Sequence, residues 1–386
     1  MVSLTAIIVH EWIEEFGGAE KVLESFQQLL PGAPIYALWD DAPGRFAGVR
    51  QSILAKTPLR NHKALALPFM PIAWRHAVRD EEAEWALISS HLFAHHVRVP
   101  SCPDTEKFVY VHTPARYLWE PELDSRGDQF AIRSVAPIFR ALDRRRAREG
   151  ASFAANSKFV RQRIETSWGV DADVIYPPVD VKRIQSVQDW ASVLSPEEEE
   201  TLRSLPEEFV LGASRAVPYK TLETAIKIGQ QIGSHVVIAG TGPDIPRLKH
   251  IAESSNVPVR FLGRVSDELL FALYSRCLMY SFTAIEDFGI MPVEAMAAGA
   301  RVIANRIGGV AETVIDGVSG ALCDPGDEKD LRIAVDRALT CGPEASRLAA
   351  QRFDSGKFSE NIAGWLGDRV ANYGKSVETV TVESRP

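Results

Sequence analysis

Residues 278–304 run LMYSFTAIEDFGIMPVEAMAAGARVIA. Two short β-prone runs, Leu278–Phe282 and Arg301–Ala304, bracket a turn and an apolar helical segment, which is the pattern of strand, helix and parallel strand. Pro292 suits the first turn of that helix, where its missing N–H costs nothing. Gly289, Ile290 and Met291 are then expected to aim free backbone N–H groups at an anion. Glu294 falls just inside the turn and Glu286 on the loop before it. A turn of this kind, beyond the carboxyl end of a parallel strand, is where open α/β sheets bind phosphate. Two flanking carboxylates can accept hydrogen bonds from the hydroxyls of a sugar attached to that phosphate. Glu294 can equally serve only to complement the helix dipole.

The same alternation extends toward both ends. Phe209–Ser214, His235–Ala239, Arg260–Gly263 and Ala321–Cys323 join the two runs above in one series of strands. An earlier series comprises Thr5–His10, Ile35–Trp39, Trp85–Ser89, Phe108–His112 and Ser152–Ala155, with helical patterns between most of them. Ala19–Leu30 sets Val22, Leu23, Phe26, Leu29 and Leu30 on one helical face, and Asn156-Ser157 is an N-cap for a helix through Trp168. Val181–Glu208 holds SPEEEE and little strand character, so a domain boundary is expected there, and 386 residues suit two domains. Ala345–Tyr373 reads as helix, and the polar tail 375–386 as disordered.

Composition narrows the class. With 46% hydrophobic and 24% charged residues the chain is globular, and no apolar run approaches the ~18 residues that span a bilayer. The start, MVSLTAIIVHEWIEE, lacks the basic flank and cleavage pattern of a secretory signal, so a cytoplasmic protein is expected. The four cysteines show no CxxC spacing, which argues against a zinc site or a disulfide framework. Of the net charge of −8, the first 150 residues carry almost none. Their basic residues group at Arg60, His62, Lys63; at Arg75, His76, Arg79; and at Arg140, Arg144, Arg145, Arg146, Arg148. Such groups suit a phosphate-bearing partner or peripheral contact with the inner face of a membrane, and equally a solvated helix face.

With SRAVPYK (Arg215 and Lys220), Glu286 and Glu294 in EDFGIMPVEA, HEWIEEFGGAEKVL, LISSHLFAHHV, YVHTPARYLW, FAANSKFV and VIYPPVD, the chain resembles the retaining GT-B glycosyltransferases of family 4, in their bacterial polysaccharide mannosyltransferase branch. The resemblance implies two Rossmann-like domains with a cleft between them: residues 1–180 on the acceptor side, residues 181–360 for the nucleotide-sugar, and a helix at about 361–374 packing back on the first domain. It implies that Arg215 and Lys220 hold the donor diphosphate with help from Gly17 and Gly18, and that Glu294 binds the ribose. Glu286 with the backbone of Asp287, Phe288 and Gly289 would hold the donor sugar, Ile290, Gly240 and Arg264 would add donor contacts, and His112 would face the reacting carbon. The implied activity is transfer of a hexose, mannose from GDP-mannose, to a glycan, lipid-linked or small-molecule acceptor, with no cofactor or metal and no nucleic acid. A UDP-sugar donor, an epimerase or phosphorylase, and a non-catalytic carbohydrate-binding relic are the alternatives.

Other motifs point elsewhere only weakly. Asp171-Ala172-Asp173 has the DxD form of metal-dependent transferases but lies beside the linker. His91, His95 and His96 lack an HExxH pattern or a nearby carboxylate, so packing or a loop role is expected. Gly17-Gly18 and the GTGP at 240–243 fall short of a GxGxxG dinucleotide fingerprint.

Overall fold

The computed structural model describes residues 6–15, 17–79, 82–120 and 130–374. Thr5 of the first expected strand and the tail 375–386 lie outside them. The chain divides into two units, 1–178 with 356–386, and 179–355.

Unit 1 is built on a parallel sheet of seven strands: β1 (Ala6–His10), β2 (Ile35–Ala37), β3 (Val49–Gln51), β4 (Trp85–Ser90), β5 (Glu106–Val111), β6 (Ser152–Ala155) and β7 (Asp173–Val174). Their order is β3-β2-β1-β4-β5-β6-β7. Both faces are covered, as a parallel sheet requires. Ile7 and Val9 of β1 enter one core layer with Trp74, Phe93 and Trp168, while Ala6 and Ile8 enter the other with Phe26, Trp85 and Tyr110. The helix Gly18–Leu29 buries Val22, Leu23 and Phe26, the face its periodicity marks. Ser157 caps the helix Lys158–Trp168 through the N–H of Val160 at 3.0 Å.

Unit 2 carries six parallel strands: β8 (Phe209–Ala213), β9 (His235–Ala239), β10 (Val259–Gly263), β11 (Met279–Phe282), β12 (Val302–Asn305) and β13 (Gly320–Cys323). Their order is β10-β9-β8-β11-β12-β13. In each sheet the strand order reverses direction once, between β1 and β4 and between β8 and β11. Ligands bind at such switch points, beyond the carboxyl ends of the strands.

Two expectations need correction. Strands β3 and β7 were not anticipated: they are three- and two-residue edge pairings with polar sequences, VRQ and DV. The helix expected over Ala345–Tyr373 is broken. One helix covers Pro343–Ala350, a 3-10 turn covers Gln351–Phe353, and a second helix covers Ser355–Leu366. At the break Asp354 bridges to Val179 and accepts the N–H of Lys182, which ties the end of unit 2 to its start. In the third basic group Arg140, Arg144 and Arg148 donate to the carbonyls of Leu118, Ser167 and Trp168, while Arg144, Arg145 and Arg148 remain exposed.

Candidate active site

In unit 2 the loops after β8 and β11 meet. Lys220, in the 3-10 turn Pro218–Lys220, places its Nζ 2.7 Å from Oε1 of Glu286, and both side chains are largely buried. The ammonium also lies over the rings of Phe282 and Tyr219, at 5.3 and 5.5 Å. Thr221, which follows, has φ +51°, the only positive φ on a non-glycine among the described residues. For a β-branched residue that conformation is strained by about 1–2 kcal/mol, and a 2.8 Å hydrogen bond between the Thr221 and Thr283 hydroxyls holds it. The strained turn therefore aims Lys220 at the loop after β11. Arg215 is exposed, and its Nη2 lies 3.3 Å from the hydroxyl of Tyr219.

The helix beginning at Ile290 has Gly289 as N-cap at φ +95°, and no side chain caps it. Its first-turn N–H groups and its dipole form a site for negative charge. The loop 286–289 rests on Gly308 and Gly309: the N–H of Gly309 donates to the carbonyl of Glu286 at 2.7 Å, and a Cβ on Gly309 would meet the Asp287 carbonyl oxygen at 1.9 Å. Glycine is required there for that close approach. Phe288 is buried against Phe353, so only its backbone is offered to a ligand. Glu294 stands one turn into the helix, half-buried, and its charge raises the hydroxyl pKa of Tyr274 and Tyr280, which burial has already raised. Gly240 follows β9 at φ +128°, where a Cβ would strike the Ser214 carbonyl oxygen at 1.9 Å, so packing alone explains this glycine. Arg264 is exposed after β10.

In unit 1 His112 follows β5. Its Nε2 lies 2.8 Å from Ser89 Oγ, which lies 3.0 Å from Nδ1 of His10, whose Nε2 is 3.9 Å from Glu20. This chain across β5, β4 and β1 occupies one ring nitrogen of His112 and leaves the other. Burial, with repulsion from His10, pushes the His112 pKa down to about 3, so the ring is a neutral hydrogen-bonding group. Burial works to raise the Glu20 pKa, but His10 and the N–H of Glu14 hold it below the usual range. Gly17 and Gly18 open the helix after β1, and a Cβ on Gly17 would lie 2.1 Å from Oε2 of Glu20. The glycine turn thus already houses a carboxylate.

Two further buried carboxylates in unit 1 escaped the sequence reading. Glu11 accepts the N–H groups of Leu92, Phe93 and Ala94 at 2.9–3.0 Å and the indole of Trp74 at 3.1 Å. His95 and His96, read as lacking a carboxylate, both reach Oδ1 of Asp143, at 3.0 and 2.9 Å. Oδ2 of Asp143 accepts the indoles of Trp119 and Trp168 at 2.8 and 2.7 Å. These three residues are the potential metal-ligating group among the described residues. The N–H groups of His96, Trp119 and Trp168 hydrogen-bond to the carboxylate, and the His95 ring packs against its Oδ1. Burial would raise the Asp143 pKa, but the two imidazoles hold it far below the usual range. The His96 pKa is pushed down to about 4 by burial and by His95. Asp171 of the DxD sequence pairs with Arg161 at 2.9 Å.

Residues 196–353, almost all of unit 2, match the model for glycosyl transferases group 1. These residues form a group 1 glycosyl transferase domain, and the two parallel α/β units have the GT-B fold. The chain is 32% identical over 169 residues to the serotype-specific mannosyltransferase WbdA of Escherichia coli, covering 40% of this chain and 20% of that one. It is 32% identical over 142 residues to the D-inositol 3-phosphate glycosyltransferase of Stackebrandtia nassauensis, covering 34% and 32%. The matches thus span a fifth to a third of these relatives. Among solved structures it resembles Anabaena Alr3699/HepE in complex with UDP and glucose, with TM-score 0.63, 18% identity, and coverage of 94% and 99%.

The lowered pKa values of His112 and His96 are expected to make the fold acid-labile. Both rings are neutral in the fold, with pKa near 3 and 4, against about 6.5 when unfolded. The unfolded chain therefore binds more protons below pH 6.5, and stability falls as pH drops from there toward 4. Each ring contributes on the order of 1 kcal/mol per pH unit in that window. Thermal melts from pH 7 to 4 should show this decline, and it should be shallower in His112→Asn. An equal slope in the variant would remove His112 from the account.

Proposed function

We propose that the protein is a retaining hexosyltransferase that moves mannose from GDP-mannose to a hydroxyl of a glycan, lipid-linked or small-molecule acceptor. The observation that carries this reading is the Lys220–Glu286 pair beside the uncapped helix start at Ile290, within a group 1 domain. Arg215, Lys220 and the helix N–H groups take the diphosphate, Glu294 the ribose, and Glu286 with the backbone of Asp287–Gly289 the sugar. The bond from the anomeric carbon to the diphosphate oxygen breaks, and the acceptor oxygen bonds to that carbon on the same face. The acceptor proton passes to the departing diphosphate. Cations and N–H dipoles fixed where the leaving-group charge grows lower the barrier more than they tighten ground-state binding. Neutral His112, held by Ser89, orients rather than protonates. Mannose as the sugar is supported by the resemblance to the Escherichia coli mannosyltransferase over 40% of this chain.

Purified protein incubated with GDP- and UDP-sugars, with release of nucleoside diphosphate as the readout, tests the reading. Slow hydrolysis of GDP-mannose above all others, undiminished by EDTA, is expected, because cationic side chains and the helix start take the role of a metal. Preference for a UDP-sugar would reassign the donor. Loss of turnover in EDTA, restored by Mn²⁺ or Mg²⁺, would overturn metal independence.

A further inference from the structure

From Ala64 to Trp74 the chain reads ALALPFMPIAW, eleven residues without a polar side chain. They form a helix (Lys63–Ala66), a 3-10 turn (Leu67–Phe69) and a second helix (Met70–Arg75) in direct succession. One side is spent on the core, burying Ala66, Leu67, Met70, Ala73 and Trp74. The other is equally apolar but faces solvent: Leu65, Phe69 and Ile72 are 63%, 51% and 62% exposed. Their spacing of four and three puts them on one stripe. On the adjoining turn, Ile53 is 72% exposed. Single exposed apolar residues are ordinary, whereas a helical segment apolar all round while half in solvent has an unfilled partner face.

The charge around this stripe selects the partner. Between Asp41 and Asp80 lie seven Lys or Arg residues and no acid, in a chain of net charge −8. His62-Lys63 and Arg75-His76 flank the apolar run directly. Several of these cations are paired, Arg60 with Asp41, Lys63 with Glu14 and Arg75 with Glu149, so the surface field is moderate. Lys56 is exposed beside Ile53, with no acidic partner among the described residues. A second copy of the chain would set this cationic face against itself across a two-fold axis. Apolar side chains between cationic flanks match the boundary of an anionic bilayer, where the chains enter the acyl edge and the flanks meet phosphates.

We propose that residues 53–76 seat the protein on an anionic phospholipid membrane, with Leu65, Phe69 and Ile72 inserted. The placement has a consequence within unit 1. Lys63 lies 4.6 Å over the ring of Trp12, in the loop that leads from β1 to Gly17 and Gly18, so the seated face adjoins the carboxyl end of β1. The inference does not depend on the proposed donor or reaction.

Sedimentation of the full chain with vesicles of phosphatidylcholine containing a minority of phosphatidylglycerol tests it. Binding is expected at ~0.01 M salt and is weaker but present at ~1 M, where charge attraction reaches only about 3 Å. The triple exchange Leu65→Ser, Phe69→Ser, Ile72→Ser should lower partitioning at least about tenfold, with its melting temperature little changed because the side chains are exposed. Lys56→Glu should weaken binding chiefly at low salt. Should the triple variant fail to fold, Phe69→Ser alone carries the test, with a smaller loss expected. Wild-type protein that stays in the supernatant at low salt would overturn the proposal, as would undiminished binding by a folded serine variant. A wild-type dimer that the serine exchange dissolves, without vesicle binding, would assign the face to self-association instead.

Discussion

Lys220→Ala is expected to reduce turnover by about 10²–10³, and Arg215→Ala by a comparable factor, because the charge they meet appears mainly as the diphosphate departs. Lys220 already sits 2.7 Å from Glu286. Removing it strips Glu286 of its cation. In the proposed reading Glu294→Ala removes a ribose contact that is the same in ground and transition states, so it should raise KM and leave kcat nearly unchanged. Glu286→Ala should harm both constants. Calorimetry with nucleoside diphosphate alone separates the roles: affinity should fall in the Arg215, Lys220 and Glu294 variants and hold in the Glu286 variant. If Glu286→Ala lost the diphosphate as badly as Glu294→Ala, the division of labour along EDFGIMPVEA would be wrong.

Asp143→Ala should be among the most destabilising single exchanges in unit 1, at about 3–5 kcal/mol. One side chain with no exposure receives His95, His96, Trp119 and Trp168. Its loss orphans the N–H groups of His96, Trp119 and Trp168 and removes a cavity's worth of contacts at once. Asp143→Asn keeps the volume but replaces two acceptor positions by donors that face indoles, so it should recover little. Chemical denaturation of both variants is the measurement. A loss below about 1 kcal/mol in Asp143→Ala would mean that the donors find water, and that the cluster is not dry.

What the sequence disclosed follows from which interactions are local. The buried strands were readable because a parallel strand covered on both faces is a continuous apolar run, as in AIIVH of β1 and FVLGA of β8. Strands β3 and β7 offered no such run, being short and partly exposed. The helix expected over Ala345–Tyr373 breaks at Gln351–Asp354, which the helical pattern on either side hid. In the site, the helix start at Gly289 was legible from Pro292 and the glycine. Lys220 and Glu286, 66 residues apart, were singled out only by the resemblance, and their pairing was not read from it. Asp143 meets His96 across 47 residues of sequence, and Glu11 meets Ala94 across 83. No spacing rule reaches contacts of that kind. Nor did any feature of the Lys220-Thr221 dipeptide announce that a threonine would adopt the left-handed region.

The return of the chain to unit 1 after residue 355 bears on how the protein is made. Phe358, Ile362, Leu366 and Tyr373 are buried in one core layer of unit 1 beside Phe26, Trp85 and Tyr110, and Arg369 pairs with Glu106 at 2.6 Å. On the ribosome, the first strands to emerge must therefore wait for the last helix before that layer can close, whereas residues 179–355 hold their whole sheet in one continuous stretch. The unit begun first is finished last, with contacts that span more than 300 residues, such as Tyr373 donating to the carbonyl of Pro31. Such long-range closure is slow. During synthesis the apolar side of β1 and of the helix Gly18–Leu29 stays uncovered throughout the growth of unit 2, which makes that interval the exposed one for chaperone capture or aggregation.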